Sequence, residues 1–181
     1  CNRDGSGAAR TPQLILGMTS LPSRLQGIGP TLRSLAEQDR VPDRMILSLP
    51  RMSSREARGY VVPAEVSAFL EQHPWAQVHS VEEDFGPGTK LLGALQWLRA
   101  HPNEWQEGDV LMVLDDDHAY MPFALGELLR EQRSRGPESV CSYFSYFFRG
   151  IMVPQGADII AFHLNGKLVE ELLEFHRTLV Q

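Results

Sequence analysis

Val110-Leu111-Met112-Val113-Leu114-Asp115-Asp116-Asp117-His118 decides how this sequence is read. Five apolar residues without alternation predict a strand buried on both faces, as in the interior of a parallel sheet. The three carboxylates that follow concentrate negative charge at its C-terminal end, where open α/β sheets bind their ligands. Asp115 and Asp117 are two residues apart, so at a strand end they fall on one side and can share a divalent cation. Their hard oxygens suit Mg²⁺, Mn²⁺ or Ca²⁺ better than thiophilic metals. Acidic triplets also serve as helix caps, as partners of nearby arginines or as solvated turns. The buried strand feeding straight into this one favours function.

Outward from that stretch, strand-like and helix-like segments alternate, the pattern of an α/β sheet with crossover helices. Residues 14–19 read as a first strand, followed by the loop Ser20 to Arg24 and a helix that Pro30 opens, with Leu32, Leu35 and Ala36 on one face. Residues 45–49 form a second strand ended by Pro50. Residues 51–60 are charged and without a clear period, a loop or short helix. A helix carrying Val66, Phe69 and Leu70 stops near His73-Pro74, and residues 76–81 make a third strand. After the turn Asp84 to Lys90, Leu91, Leu92, Leu95 and Leu98 give the next helix its apolar stripe. Pro122 opens another helix, with Leu125, Leu128 and Leu129 inward, running out at Arg135-Gly136-Pro137. Residues 140–148 are aromatic-rich and predict an antiparallel hairpin with 151–153. A strand over 156–162 and a last helix with Leu168, Leu172, Leu173 and His176 follow.

The chain has 181 residues, 43% of them hydrophobic, enough for one good core. We expect a polar, flexible segment over 1–12 and a single domain over 13–181. A net charge of −6, with no basic run, argues against nucleic acid as the partner. Cys1 and Cys141 are too few for a disulfide framework or a cysteine zinc site. No stretch approaches the roughly 20 apolar residues that span a bilayer. The expectation is a soluble domain, cytoplasmic or excised from an anchored enzyme.

Two loops should meet the acidic cluster: residues 19–24 after the first strand and 84–90 after the third. In the second, Gly86, Pro87 and Gly88 form a tight turn, Thr89 can cap the helix, and Lys90 lies in its first turn. A cation there opposes the helix dipole, which makes sense if Lys90 and the free N–H groups together face an anion such as a diphosphate. The plainer alternatives are a solvated lysine or one paired with Asp84 or Asp115. Arg24 is a second candidate cation. His118 can complete a metal shell, although hard cations mainly take carboxylate, phosphate and water. His163 ends an apolar strand on the cleft side, where it can take a supporting role but reads first as a satisfied core histidine. Most of the aromatic run 143–148 reads as core.

The combination of Leu16-Gly17-Met18-Thr19-Ser20-Leu21-Pro22-Ser23-Arg24, Asp84-Phe85-Gly86-Pro87-Gly88-Thr89-Lys90 and Leu114-Asp115-Asp116-Asp117 resembles nucleotide-sugar-dependent glycosyltransferases of the GT-A fold. The resemblance runs from about Leu14 to about Phe175. It implies an α/β, Rossmann-like nucleotide-diphospho-sugar transferase fold with a mixed, mainly parallel sheet flanked by helices. It also implies a UDP- or GDP-sugar donor, a glycan or other hydroxyl acceptor, and Mn²⁺ or Mg²⁺. The 13–120 half of the domain would bind donor and metal and the 121–181 half would form the acceptor side, with the aromatic run 143–148 available to stack on an acceptor sugar. Thr19, Arg24, Asp84, Lys90, Asp115 and Asp116 would bind the nucleotide sugar, and Asp115 and Asp117 the metal. An inverting member needs a general base. The family often carries an acidic pair shortly after the region matching 159–175, and none follows in these residues. The base would then be Asp158, or come from outside the sequence, or the reaction would retain configuration.

Two other readings stay open. One is a non-catalytic module that binds a nucleotide sugar or divalent metal. The other is a sugar nucleotidyltransferase, although residues 19–24 lack the glycines such enzymes usually carry after their first strand.

Overall fold

The computed structural model describes residues 10–137, 139–142, 146–148, 151–153 and 159–179. Its main sheet has six strands in the order β5-β2-β1-β6-β10-β7. These are β1 (Leu14–Met18), β2 (Arg44–Pro50), β5 (Ala76–Val81), β6 (Val110–Leu114), β7 (Val140–Ser142) and β10 (Ile159–His163). Strands β5, β2, β1 and β6 run parallel, and β10 runs antiparallel to both β6 and β7. Two small ribbons stand apart, β3 (Met52–Ser53) with β4 (Arg58–Gly59) and β8 (Tyr146–Phe148) with β9 (Ile151–Val153).

The helices form two layers because the central strands are apolar on both faces. Leu14, Leu16 and Met18 of β1 and Met112 and Leu114 of β6 pack with Leu32 and Leu35 of α1 (Gly29–Ala36), Val66 and Phe69 of α2 (Ala64–Gln72) and Leu125, Leu128 and Leu129 of α4 (Ala124–Arg135). Ile15 and Leu111, on the alternate pleat, face Leu95 and Leu98 of α3 (Thr89–Ala100) and Val169 and Leu173 of α5 (Gly166–Leu179). Pro30 lies in the first turn of α1, and Gly136, with φ 86°, ends α4 in the conformation that favours glycine. Among the described residues no helix is long and apolar enough to cross a membrane.

Two expectations are corrected. Residues 140–148 do not form one hairpin arm: Val140–Ser142 joins the main sheet beside β10, and only 146–148 pairs with 151–153. The antiparallel direction of β10 also moves His163 away from the cleft. Ile159 pairs with Leu114 beside the acidic cluster, whereas His163 pairs with Val110 at the opposite end of β6. There its Nε2 lies 3.3 Å from the Gln132 carbonyl.

Helix α3 lies unusually close over β1 and β2, and two glycines make this possible. A Cβ on Gly17 would fall inside contact distance of the Lys90 carbonyl oxygen and 3.1 Å from the Ala94 Cβ. A Cβ on Gly93 would strike the Ser48 side chain. Gly17→Ala should therefore push the first turn of α3 off the sheet and cost about 1–3 kcal/mol, the usual price of overpacking. Urea unfolding measures this; an unchanged midpoint would show that α3 has room to move.

Candidate functional site

The chain runs one way from β1 to β2 and β5 and the other way from β1 to β6 and β10, so the crevice between β1 and β6 is the sheet's switch point. A cleft opens there, lined by Thr19, Ser20, Leu21 and Arg24 after β1, Asp84, Gly86, Pro87 and Lys90 after β5, and Asp115 and Asp116 after β6. Arg55 and Tyr60, from the ribbon segment between β2 and α2, complete it.

The three aspartates have different surroundings. Asp116 is buried, 8% exposed, and accepts from Ser20 Oγ at 2.5 Å and Arg24 Nη2 at 2.5 Å, while its carbonyl accepts from Thr31 Oγ1 at 2.9 Å. Burial pushes its pKa above the ordinary carboxylate value, even though the Ser20 hydroxyl and the Arg24 charge pull it down. The desolvation of this carboxyl outweighs an ion pair with an arginine that is itself 40% exposed. Asp115 meets Lys90 Nζ at 2.5 Å, and its backbone N–H and carbonyl both bond the Tyr120 hydroxyl, at 3.0 and 2.9 Å. Asp117 faces outward, 2.6 Å from Arg24 Nη2 and 2.9 Å from His118 Nδ1.

Asp115 and Asp117 do not fall on one side as their spacing predicts, because the chain has left the strand after Leu114 and its alternation no longer holds; they border different depressions. Asp115 lines the cleft described above, and Asp117 lines a neighbouring one with Ser23, Thr31 and His118, the Arg24–Asp116 pair forming the wall between them. Among the described residues no three His, Cys, Asp or Glu side chains converge on one point as a metal cage. The donor set fits a hard cation of another kind. Mg²⁺ is typically held by one or two carboxylates with phosphate oxygens and water, and Asp115 and Asp117, 37% and 52% exposed, are carboxylates within reach of solvent.

Asp84 is spent inside the protein. One oxygen accepts from the Ser54 N–H at 2.7 Å and Ser54 Oγ at 2.9 Å, and the other from the Gly86 N–H at 2.8 Å and Thr89 Oγ1 at 3.3 Å. The partial burial of this carboxyl raises its pKa, but these hydrogen bonds together outweigh that and hold it below the ordinary value. Thr89 does not cap α3 as expected. Its buried hydroxyl accepts from the Phe85 N–H at 3.0 Å and bonds Asp84, closing the turn before the helix.

Six residues expected at the donor site, Thr19, Arg24, Asp84, Lys90, Asp115 and Asp116, thus line one cleft, while Asp158 lies outside the described residues. Sequence reasoning missed Ser20, Arg55 and Tyr60. Tyr60, whose hydroxyl donates to the Ser20 carbonyl at 2.9 Å, ties the ribbon to the loop after β1. The only available signal was a polar, aperiodic stretch between a buried strand and a helix, too long for a simple connection.

No protein-family model matches the sequence, and no curated protein sequence matches it. Solved structures do. The fold superimposes on a 4-diphosphocytidyl-2C-methyl-D-erythritol synthase with a TM-score of 0.55, at 11% identity, over 90% of this chain and 86% of that one. Residues 1–349 of S. aureus TarS align at 17% identity with a TM-score of 0.46 over 67% of this chain, which spans 33% of that fragment. The fold class is the one the sequence predicts: α/β, with a mixed, mainly parallel sheet flanked by helices.

Asp84→Asn should loosen the contact between residues 54 and 86 and lower the melting temperature at neutral pH. A carboxyl whose folded pKa is depressed contributes stability that is present above its unfolded value, about 3.9, and is lost as pH falls through the folded one. The gap between wild type and variant should therefore hold constant from pH 5 to 8, by thermal denaturation, and shrink below about pH 4. A gap independent of pH would show that the carboxylate charge is immaterial to this contact.

Proposed function

We propose that this chain is a metal-dependent glycosyltransferase of the GT-A type, moving a sugar from a nucleoside-diphosphate donor, UDP or GDP, to a hydroxyl of a glycan or another acceptor. The observation that carries this reading is the convergence of Thr19, Arg24, Asp84, Lys90, Asp115 and Asp116 on one cleft at the sheet's switch point. Two cations, Lys90 and Arg24, lie there against carboxylates. A diphosphate would take over both as counter-charges, with the N-terminal N–H groups of α3 beside Lys90. Asp84 holds the Gly86-Pro87 turn in place for this contact. Asp115 and Asp117 are our candidate ligands for Mn²⁺ or Mg²⁺, which would neutralise the charge that grows on the leaving diphosphate. Because the Arg24–Asp116 pair stands between them, Arg24 would have to leave its carboxylates for the two to meet at one cation. The acceptor side would come from the C-terminal third. Asp158 is our candidate base, because the next residue, Ile159, pairs with Leu114 at the edge of the acidic cluster.

A second reading, a sugar nucleotidyltransferase, draws support from the likeness to the 4-diphosphocytidyl-2C-methyl-D-erythritol synthase over 90% of this chain. Against it stands the loop after β1, Thr19-Ser20-Leu21-Pro22-Ser23-Arg24, which has no glycine. The substrates separate the two. A glycosyltransferase releases nucleoside diphosphate from a nucleotide sugar, whereas a nucleotidyltransferase releases pyrophosphate from a nucleoside triphosphate and a sugar phosphate. A binding module would do neither while still binding the nucleotide.

Thermal denaturation with UDP and GDP, each with and without Mn²⁺, tests the donor site. A ligand at a hundred times its dissociation constant stabilises by about 2.7 kcal/mol, a rise of roughly 5–10 °C for a chain of this size. The rise should need metal and nucleotide together and should disappear in Asp117→Ala. No shift with any nucleotide, in folded protein, would overturn the reading. Lys90→Ala should weaken nucleoside diphosphate far more than nucleoside in calorimetric titration; equal losses would remove Lys90 from the diphosphate.

A further inference from the structure

Among the described residues three cations line the cleft, and two of them are neutralised by the protein. Lys90 lies 2.5 Å from Asp115, and Arg24 lies 2.5 and 2.6 Å from Asp116 and Asp117. Arg55 differs: among the described residues it has no hydrogen-bond or ion-pair partner. We propose that Arg55 is an oxyanion-binding residue of this cleft, presented by the β3–β4 turn to a phosphoryl or carboxylate group of the ligand. The proposal rests on the nucleotide-sugar reading of the site and adds to it a residue that neither the sequence motifs nor the sheet edge supplies.

The turn that carries Arg55 is built to hold it. Ser54, just before it, donates twice to Asp84. Glu56, just after it, accepts from the Ser23 N–H at 3.1 Å, from the Ser23 hydroxyl and from Arg58 Nε at 2.8 Å. Tyr60 anchors the far side of the ribbon on the Ser20 carbonyl. Ala57 takes a φ of 50°, a left-handed conformation that costs a residue with a Cβ about 1 kcal/mol or more. Fixing each backbone residue costs about 1–2 kcal/mol of conformational entropy, and this turn meets that cost with clamps to the loops after both β1 and β5.

The clamps also keep the neighbouring acids away from the guanidinium. Asp84 is bonded to Ser54, just before Arg55, and Glu56, just after it, to Ser23 and Arg58; neither carboxylate bonds Arg55 itself. The result is an uncompensated guanidinium on a clamped turn, at a cleft whose other cations already face carboxylates. Its planar fork of donors matches phosphate or carboxylate oxygens in pairs, with charge-assisted hydrogen bonds. In a nucleotide sugar such an oxyanion has two sources, the diphosphate or a carboxylate on the sugar. The diphosphate is the one every donor carries.

Calorimetric titration of the whole chain tests this, with Mg²⁺ present, comparing wild type, Arg55→Gln and Arg55→Lys. Arg51→Gln, at an exposed arginine paired with Glu82, is the control for lost surface charge. The ligands are the nucleoside, its diphosphate, its diphosphate-glucose and diphosphate-glucuronate, in uridine and guanosine series, and inorganic pyrophosphate. Arg55→Gln should weaken the diphosphates and pyrophosphate about tenfold or more, leave the nucleoside unchanged, and be partly restored in Arg55→Lys. A loss confined to the glucuronate compound would support the oxyanion role and put its source on the sugar. Wild type that binds pyrophosphate through Arg55 but no nucleotide would keep the role and overturn the nucleotide reading. Arg55→Gln binding every anion as wild type does, an equal loss for the nucleoside, or a wild type that binds no oxyanion would overturn the proposal.

Discussion

Three carboxylates in succession at the end of a buried strand are a charge that the fold must answer, and much of the architecture around β6 is that answer. Two unit charges 4 Å apart interact by about 4 kcal/mol at an effective dielectric of 20, which sets the scale of both the repulsion and its cure. Arg24 reaches in from the loop after β1 to cover Asp116 and Asp117, and Lys90 reaches in from α3 to cover Asp115. Lys90 can do so only because α3 sits close over the sheet, and α3 sits close because Gly17 and Gly93 have no side chains at the crossing. Packing and electrostatics are therefore one constraint here: the helix must approach for the ammonium to arrive.

The same constraint divides the aspartates by role. Asp116 is buried, anchored by Ser20, Arg24 and Thr31, and works as a tie between β6, the loop after β1 and α1. Desolvation raises its pKa in spite of these partners, as expected where removing a charge from water costs more than a half-exposed guanidinium returns. Asp115 and Asp117 keep contact with solvent and remain open to exchange their cations for others. Asp84 is a second tie, holding the turns of residues 54 and 86 together.

Long apolar runs were legible because burial on both faces leaves no alternative to a central strand, and their alternation with amphipathic stretches was enough to predict the layers. Pro30 and Gly136 marked helix ends for reasons of local geometry that tertiary contacts do not alter. The β3–β4 ribbon was not legible, since two strands of two residues each have no period to detect and owe their shape to distant partners such as Asp84 and Ser23. Arg55 and Tyr60 were lost with it. His163 was misplaced for a different reason: an apolar run does not reveal its direction, and the antiparallel pairing of β10 with β6 reverses which of its ends faces the acidic cluster. Val140–Ser142 likewise reads as part of the aromatic run, while its partner is β10, some 20 residues away.

Charge balance connects the site to the ligand we propose for it. Arg24, Arg55 and Lys90 line the cleft with Asp84, Asp115 and Asp116, three positive groups against three negative ones. A diphosphate entering alone would draw Lys90 and Arg24 from their carboxylates and leave Asp115, Asp116 and Asp117 facing one another with less compensation than before. A divalent cation arriving with it restores the balance at the point where it is lost. Arg55, having no carboxylate to abandon among the described residues, can meet an oxyanion without first breaking an ion pair. On the proposed reading, nucleotide and metal affinity are thus coupled through the side chains of this chain, and that coupling follows from carboxylates which the fold already had to neutralise.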